Sequence, residues 1–317
     1  MAKIKKIKPV VFISVLVLIF LAIVFVKLRI NETQANFTLV FIPDTQKLSS
    51  DEEFGDPKRP ELLFSRMKAM ATWIADHKDS LNILFVAHLG DMTEDHDGEI
   101  QWERNVDTWI ILNEAGIPLI PCHGNHDSIS ALNEYFPVRE YQANEFWGGS
   151  MNGGIENAYY LFEENQMKFI LVLRQFGPDK EVDEWVNDVF SKYSERRGIF
   201  ITHNGMSQMK GGTHHVENIL KKHDNIFMAH MGHVTKNNGN EYWISNSSNG
   251  KDQHILRANY QNRIDSSLSA TPMAILRYYT FKPNENKIFA YTYNVTTGSY
   301  YKDPDHQFSI SDNMDLN

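Results

Sequence analysis

The chain has 317 residues, 42% hydrophobic and 22% charged, with a formal net charge of −9, an ordinary globular composition that excludes intrinsic disorder over most of its length. Residues 1–30 hold six cations and no anion, so the remainder bears −15, which argues against a nucleic-acid polymer held on a broad basic face. The single cysteine, Cys122, excludes an intramolecular disulfide framework and a Cys-rich zinc site.

The first element in chain order is an unbroken apolar run over residues 10–26, preceded by Lys3, Lys5, Lys6 and Lys8 and followed by Lys27 and Arg29. As a helix it is about 25 Å long at roughly 1.5 Å per residue, and snorkelling of the flanking cations brings it to the roughly 30 Å of a hydrocarbon core. It is longer than a usual signal-peptide core, and Thr33-Gln34-Ala35 is a poor cleavage site, so a retained signal anchor is expected, with secretion after cleavage as the alternative. The cation excess before the run puts the N-terminus in the cytoplasm. The expected organisation is a cytoplasmic N-terminus (1–8), a transmembrane helix (9–27), a linker (28–36), a globular domain outside the membrane (37–310) and a short tail (311–317).

Within the domain, "FTLVFI" reads as a buried strand broken at Pro43, and "PELLFSRMKAMATWIADH" as a helix with Leu62, Leu63, Met67, Met70, Trp73 and Ile74 at helical spacing. "NILFVAH" is a strand, "QWERNVDTWIILNEAG" a helix closed by Gly116, and "IPLIPC" a strand. This alternation predicts a mainly parallel sheet with helices on both faces. From Asn157, "NAYYLFEENQMKFILVLR" reads as two strands about a turn at residues 163–166. Helices near "VDEWVNDVFSKYSERR" and "HHVENILKKHD" lead into the strands "GIFITHN" and "NIFMAHMGH". The last hairpin, "MAILRYYTFKPNENKIFAYTYN", turns at residues 283–286 and predicts a second, more antiparallel sheet. No internal repeat is present, and 37–305 reads as undivided.

Several strands run into polar residues at one end: Asp44 and Gln46, Asp91, Asn125 and His126, His203, and then His230 and His233. Singly, each has a plain explanation as a turn former or a satisfied core group. Together they point to a ligand site, because parallel strands bring their carboxyl ends together. Carboxylate, amide and imidazole without thiolate suit Mn, Fe, Zn or Mg in a working site better than a structural zinc. Plain packing is expected for Phe146, Trp147 and Tyr260, a place behind the ligand loops for His88 and Cys122, and a helix start for His214 and His215.

The ordered blocks Asp-x-Gln, Gly-Asp, Gly-Asn-His-Asp, Thr-His and Gly-His resemble the calcineurin-like metallophosphoesterase superfamily over about residues 37–310. Asp-Thr-Gln with "LRANYQ", "AILRYYTF" and "IFAYTYN" is similar to a bacterial, often secreted or membrane-bound branch. The resemblance implies an α/β fold of two facing mixed sheets flanked by helices. It implies two divalent ions, Asp44 and Gln46 on the first, Asp91 bridging, and Asn125, His203 and His233 on the second. His126 would contact the phosphate or protonate the leaving group, with the carboxylate of Glu94, or of its neighbour Asp95, as its partner. Two such ions activate a hydroxide for in-line attack at phosphorus, and an imidazole can donate a proton near neutral pH.

The pattern is broken where the family commonly carries a histidine two residues after His233, since this chain has Thr235. Gln46 also stands where many relatives have histidine, so the first site is expected to be weaker and harder, or empty; His230 is a poor substitute because strand side chains alternate. The expected function is hydrolysis of a phosphomonoester or phosphodiester on a small-molecule, lipid or cell-envelope substrate, with no nucleic-acid polymer and no obligate protein partner. The competing class is a phosphoesterase-like binding protein with a degenerate first site and little turnover. A zinc hydrolase acting on amides fits the ordered blocks less well.

Overall fold

Strand β1 (Phe37–Ile42) is buried along its whole length, and the period of two divides its side chains between two cores. Phe37, Leu39 and Phe41 join one cluster, and Val40 and Ile42 the other. The computed structural model describes residues 35–205, 214–236, 239–266 and 271–314. The expected segments 1–8 and 9–27, and nearly all of the 28–36 linker, lie outside the described residues, among which no helix is long and apolar enough to cross a membrane.

The first sheet has the order β15-β14-β13-β1-β2-β3, with β16 beside β14. Its strands are β2 (Ile83–His88), β3 (Leu119–Pro121), β13 (Ile275–Lys282), β14 (Lys287–Asn294), β15 (Ser299–Tyr301) and β16 (Phe308–Ser311) together with β1. The second sheet, β4-β5-β6-β7-β8-β10-β9, is built from β4 (Trp147–Ser150), β5 (Ala158–Glu164), β6 (Met167–Arg174), β7 (Arg197–Thr202), β8 (Ile226–Met231), β9 (Asn240–Asn246) and β10 (Asp252–Ala258). A small ribbon pairs β11 (Ile264–Asp265) with β12 (Thr271–Pro272). The helices are α1 (Gln46–Ser49), α2 (Arg59–Asp76), α3 (Lys78–Leu81), α4 (Glu99–Glu114), α5 (Ile129–Tyr135), α6 (Val138–Gln142), α7 (Lys180–Lys192) and α8 (His214–Lys222).

The layers follow from which faces are apolar. Phe85 and Tyr279 of the first sheet meet Phe169, Leu171 and Ile201 of the second in a core between the sheets. The outer face of the first sheet packs on α2 and α4 through Met67, Met70, Trp102 and Trp109. That of the second packs on α7 and α8, where Val182, Val186, Val189 and Phe190 fall at helical spacing and Asp179 caps Val182 N at 2.9 Å. In α2, Leu63, Met67, Met70 and Ile74 are buried as expected, whereas Leu62 and Trp73 are only half-buried.

Two expectations need correcting. Among the described residues the first sheet carries helices on one face, because its other face is buried by the second sheet, which is the arrangement the family resemblance implies. The second sheet is not the more antiparallel one: β6-β7-β8-β10 are all parallel. The C-terminal hairpin β13-β14 instead adds antiparallel to β1 in the first sheet, since its apolar alternation suits either inner face and only tertiary pairing selects one. Of the expected tail, Ser311 pairs with Lys287 and Met314 is buried in the core between the sheets.

Candidate metal centre

The carboxyl ends of β1, β2 and β3 in one sheet and of β7, β8 and β10 in the other converge on one group of side chains. After β1, Thr45 and Gln46 donate their backbone N–H groups to Asp91 O at 3.0 and 2.9 Å, tying the first loop to the second. His88 sits behind them, fully buried, accepting from Gly90 N at 3.2 Å on Nδ1 and therefore donating from Nε2 to Thr45 Oγ1 at 2.9 Å. Burial holds its pKa down to about 3, so it is a neutral brace. Asp127 braces the third loop: its carboxylate accepts from Met92 N at 2.8 Å, Thr93 N at 3.2 Å and Gly124 N at 2.8 Å.

Asp91 lies at the middle of the group with φ +54 and His233 has φ +66, a left-handed backbone that non-glycine residues adopt at some cost and that clusters at functional sites. Gly90 has φ +96, and a Cβ there would sit 2.7 Å from His203 Nδ1, so only glycine lets this turn pass beneath the imidazole. Asp91 Oδ1 accepts from His126 N at 2.9 Å and Oδ2 lies 3.1 Å from His203 Nε2. His203 Nε2 is also 3.2 Å from Asn125 Oδ1, while its Nδ1 donates to Leu89 O at 2.8 Å. That carbonyl bond fixes the ring and commits Nε2 to the centre. Burial opposes charge on His203, but the carboxylates of Asp91 and Asp44 outweigh it and raise its pKa to about 10. Burial likewise opposes charge on Asp91, and His203 overcomes it, lowering that carboxyl to about 2. Asp44 is pushed well up, first by burial and further by Asp91, against the pull of His203.

The residues suit divalent cations. One donor atom each from Asp91, His203 and His233 lie within 4.8 Å of one another, with the Asn125 oxygen beside them. Gln46 donates an amide N–H to Glu94 Oε2 at 3.0 Å, while its Oε1 is buried without a hydrogen-bond partner among the described residues. An orphaned buried carbonyl oxygen costs about 1–3 kcal/mol unless something such as a cation satisfies it.

The geometry changes several sequence assignments. His126 Nδ1 contacts the main-chain oxygen of Glu94 at 2.8 Å, not its carboxylate, which is taken by Gln46 Nε2 and by Lys47 Nζ at 3.4 Å. Asp95 contacts Gln101 Nε2 at 3.3 Å and does not serve as the substitute. His230 belongs to the core, stacked on Phe41 at 3.7 Å and edge-on to Tyr279 at 5.0 Å. Thr235 Oγ1 accepts from Asn262 Nδ2 at 3.1 Å. Cys122 and Tyr260 are buried, and Phe146 and Trp147 pack against Phe162 and Tyr160. The helix expected near His214 begins there, and His215 pairs with Asp183 at 2.5 Å. Asn259, unforeseen as a site residue, places Nδ2 2.6 Å from Asp44 Oδ2; the signal was its position directly after an apolar strand, which is legible only once β10 is recognised as parallel.

A family model described as calcineurin-like phosphoesterase matches residues 37–257. The Bacillus subtilis (strain 168) protein YvnB, described as uncharacterized, is 25% identical over 280 residues, 84% of this chain and 20% of YvnB, so the chain spans about a fifth of that relative's length. Among solved structures, the purple acid phosphatase PPD1 from yellow lupin (Lupinus luteus) seeds aligns with a TM-score of 0.52 at 14% identity, over 88% of this chain and 54% of that one, a likeness of fold. The matched span covers well over half of the chain and takes in every strand end from Asp44 to His233, and the protein belongs to the calcineurin-like phosphoesterase family.

Proposed function

We propose that the protein hydrolyses a phosphomonoester or phosphodiester with two divalent cations, His126 contacting the phosphate or protonating the leaving group. The observation that carries this reading is the meeting of carboxylate, amide and imidazole donors from both sheets around Asp91 and His203, with His126 N–H on the same carboxylate. Asp44, Gln46 and Asp91 would hold one cation and Asp91, Asn125, His203 and His233 the other, a donor set that suits Mn, Fe or Zn. Cations bound there supply Lewis acidity toward phosphoryl oxygens and make water a stronger acid.

The chain's own groups orient and move protons. Leu89 O holds His203 with Nε2 inward, and the braces from His88 and Asp127 keep the three loops of the first sheet in register. Because His126 Nδ1 donates to Glu94 O, its exchangeable proton is on Nε2, where the imidazolium has an N–H to give to a departing oxygen. Glu94 thus serves through its backbone on His126 and through its carboxylate on Gln46, a positioning part in place of the expected catalytic one.

The test uses the purified full-length chain on nitrophenyl phosphomonoesters and phosphodiesters with Mn²⁺, Fe²⁺ or Zn²⁺. Turnover should require cation, be abolished by EDTA, and fall by about 10²- to 10⁴-fold in His126→Ala with cations still bound. The engagement of Thr235 with Asn262 favours a second reading, a ligand-binding protein with a deficient first site; absence of Mn²⁺-stimulated hydrolysis, with no loss in His126→Ala, selects it.

The apolar run at residues 10–26 and its flanking cations support a single-pass membrane location, N-terminus inside and catalytic domain outside, and with it a lipid or cell-envelope phosphoester as substrate. Protease shaving of intact cells should remove the domain from the membrane fraction, whereas recovery of a shortened chain in the medium would favour secretion.

A further inference from the structure

Asn259 directly follows β10 and is 1% exposed. Its amide nitrogen approaches Asp44 Oδ2 to 2.6 Å across 215 residues of chain, and its amide oxygen accepts from Gln261 N at 3.1 Å. Both ends of the amide are therefore assigned by their partners, N–H to the carboxylate and oxygen to a backbone donor. The backbone is held as firmly: Asn259 N donates to Gly239 O at 2.6 Å, and Gly239 N donates to Thr235 O at 3.0 Å. Gly239 has φ +78, and a Cβ on it would fall 1.5 Å from Asn259 O, so no other residue allows the two segments to approach this closely. The loop that carries His233 is in this way strapped to the residue that holds Asp44.

His233 N also donates to Asp44, at 3.3 Å from Oδ1 and 3.2 Å from Oδ2, and the backbone N–H of Asp44 itself approaches the carboxylate. Oδ2 thus takes the short bond and Oδ1 only the longer one, so Oδ1 is the less occupied oxygen. We propose that Asn259 is a positioning residue of the first cation site: by occupying Oδ2 it presents Oδ1 of Asp44 as the ligand oxygen. Where Thr235 supplies no imidazole, the site is completed by an ordered carboxylate in place of a further ligand. Asn259 lies two residues beyond the family-matched span. The inference rests on the two-cation reading of the centre and not on turnover.

The test is Mn²⁺ titration calorimetry and electron paramagnetic resonance on the full-length chain without substrate. Wild type should bind two Mn²⁺ and show a spin-coupled pair. In Asn259→Ala the tighter ion should be retained and the weaker one lose about 10- to 100-fold in affinity, with isolated Mn²⁺ replacing the coupled signal. Asn259→Asp should lose at least as much, because a carboxylate there repels Asp44, while Asn262→Ala, which touches Thr235 and not Asp44, should change neither ion. Melting of the metal-free variants checks that they fold, and Asn259→Ser replaces the alanine variant if that one does not. Unchanged affinities in a folded Asn259→Ala or Asn259→Ser, tighter binding in Asn259→Asp, or a single Mn²⁺ in wild type would each overturn the proposal. Two Mn²⁺ with the expected losses but no hydrolysis would leave it standing and remove the phosphoesterase reading instead.

Discussion

In the two-cation reading proposed above, the two halves of the centre would be made of different donors. Around His203 the second half gathers two imidazoles, an amide oxygen and the Asp91 carboxylate, and the His203 ring is pinned by a carbonyl. Around Asp44 the first half would have Asp91 in common with it, an amide oxygen without a partner among the described residues and a carboxylate held by Asn259. Imidazole binds first-row divalent ions more strongly than neutral oxygen does. A bridged pair can therefore be unequal in affinity while both ions contribute to chemistry, and the two halves should respond differently to substitution.

The largest effect is expected from Asp91→Ala, which removes the group both halves share and leaves His203 without its ionic partner. Turnover should fall by about 10³-fold or more, and elemental analysis should find both ions weakened. If one ion remained at full affinity, Asp91 would belong to a single half. Next, Gln46→Ala should weaken only the looser ion, whereas His203→Ala should weaken the tighter, as read by calorimetry; the reverse order would invert the comparison. Gln46→His should narrow the gap by giving the first half an imidazole, seen as a tighter second binding event for Zn²⁺. A smaller effect is expected at His230: exchange for Phe should leave both ions in place, since the ring stacks on Phe41 in the core.

The smallest effect separates fold stability from the cations altogether. His306 is buried against the first sheet, with Asn240 Nδ2 at 3.1 Å. Burial, opposed first by Asp303 and reinforced by the positive charges of Arg277 and Arg263, holds its pKa down from 6.5 to about 4. A depressed histidine contributes stability that is present above its unfolded value and lost as pH falls through the folded one. The urea midpoint of the EDTA-treated protein should therefore drop between pH 6.5 and about 4, and His306→Gln should lose less over that window. An equal drop in the variant would place the acid sensitivity elsewhere.

Particular elements show what was legible. The helices α2, α4 and α7 could be read because one apolar stripe at helical spacing needs only local sequence, and the turn between β5 and β6 because Asn165 and Gln166 both take positive φ, 51° and 65°. Strands β9 and β10 are not legible in this way: β10 lies between two neighbours, one parallel and one antiparallel, and a short run such as "DQHILRA" announces neither. Asn259, directly after β10, is illegible for the same reason. The Glu94 assignment failed for another reason, since counting residues from Asp91 brings Glu94 to His126 but cannot tell whether its carboxylate or its carbonyl will face the ring.

The sequence by itself determined the strand-end residues, their order and the family they signal, because donor chemistry and glycine turns are written locally. It also placed Thr235 and Gln46 at positions where the resembled family commonly carries histidine. Only the tertiary structure decided which sheet the C-terminal hairpin joins, which oxygen of Asp44 is held, and that His230 turns into the core. Those outcomes depend on pairing between segments far apart in the chain, where register and packing choose among arrangements that the local pattern allows equally.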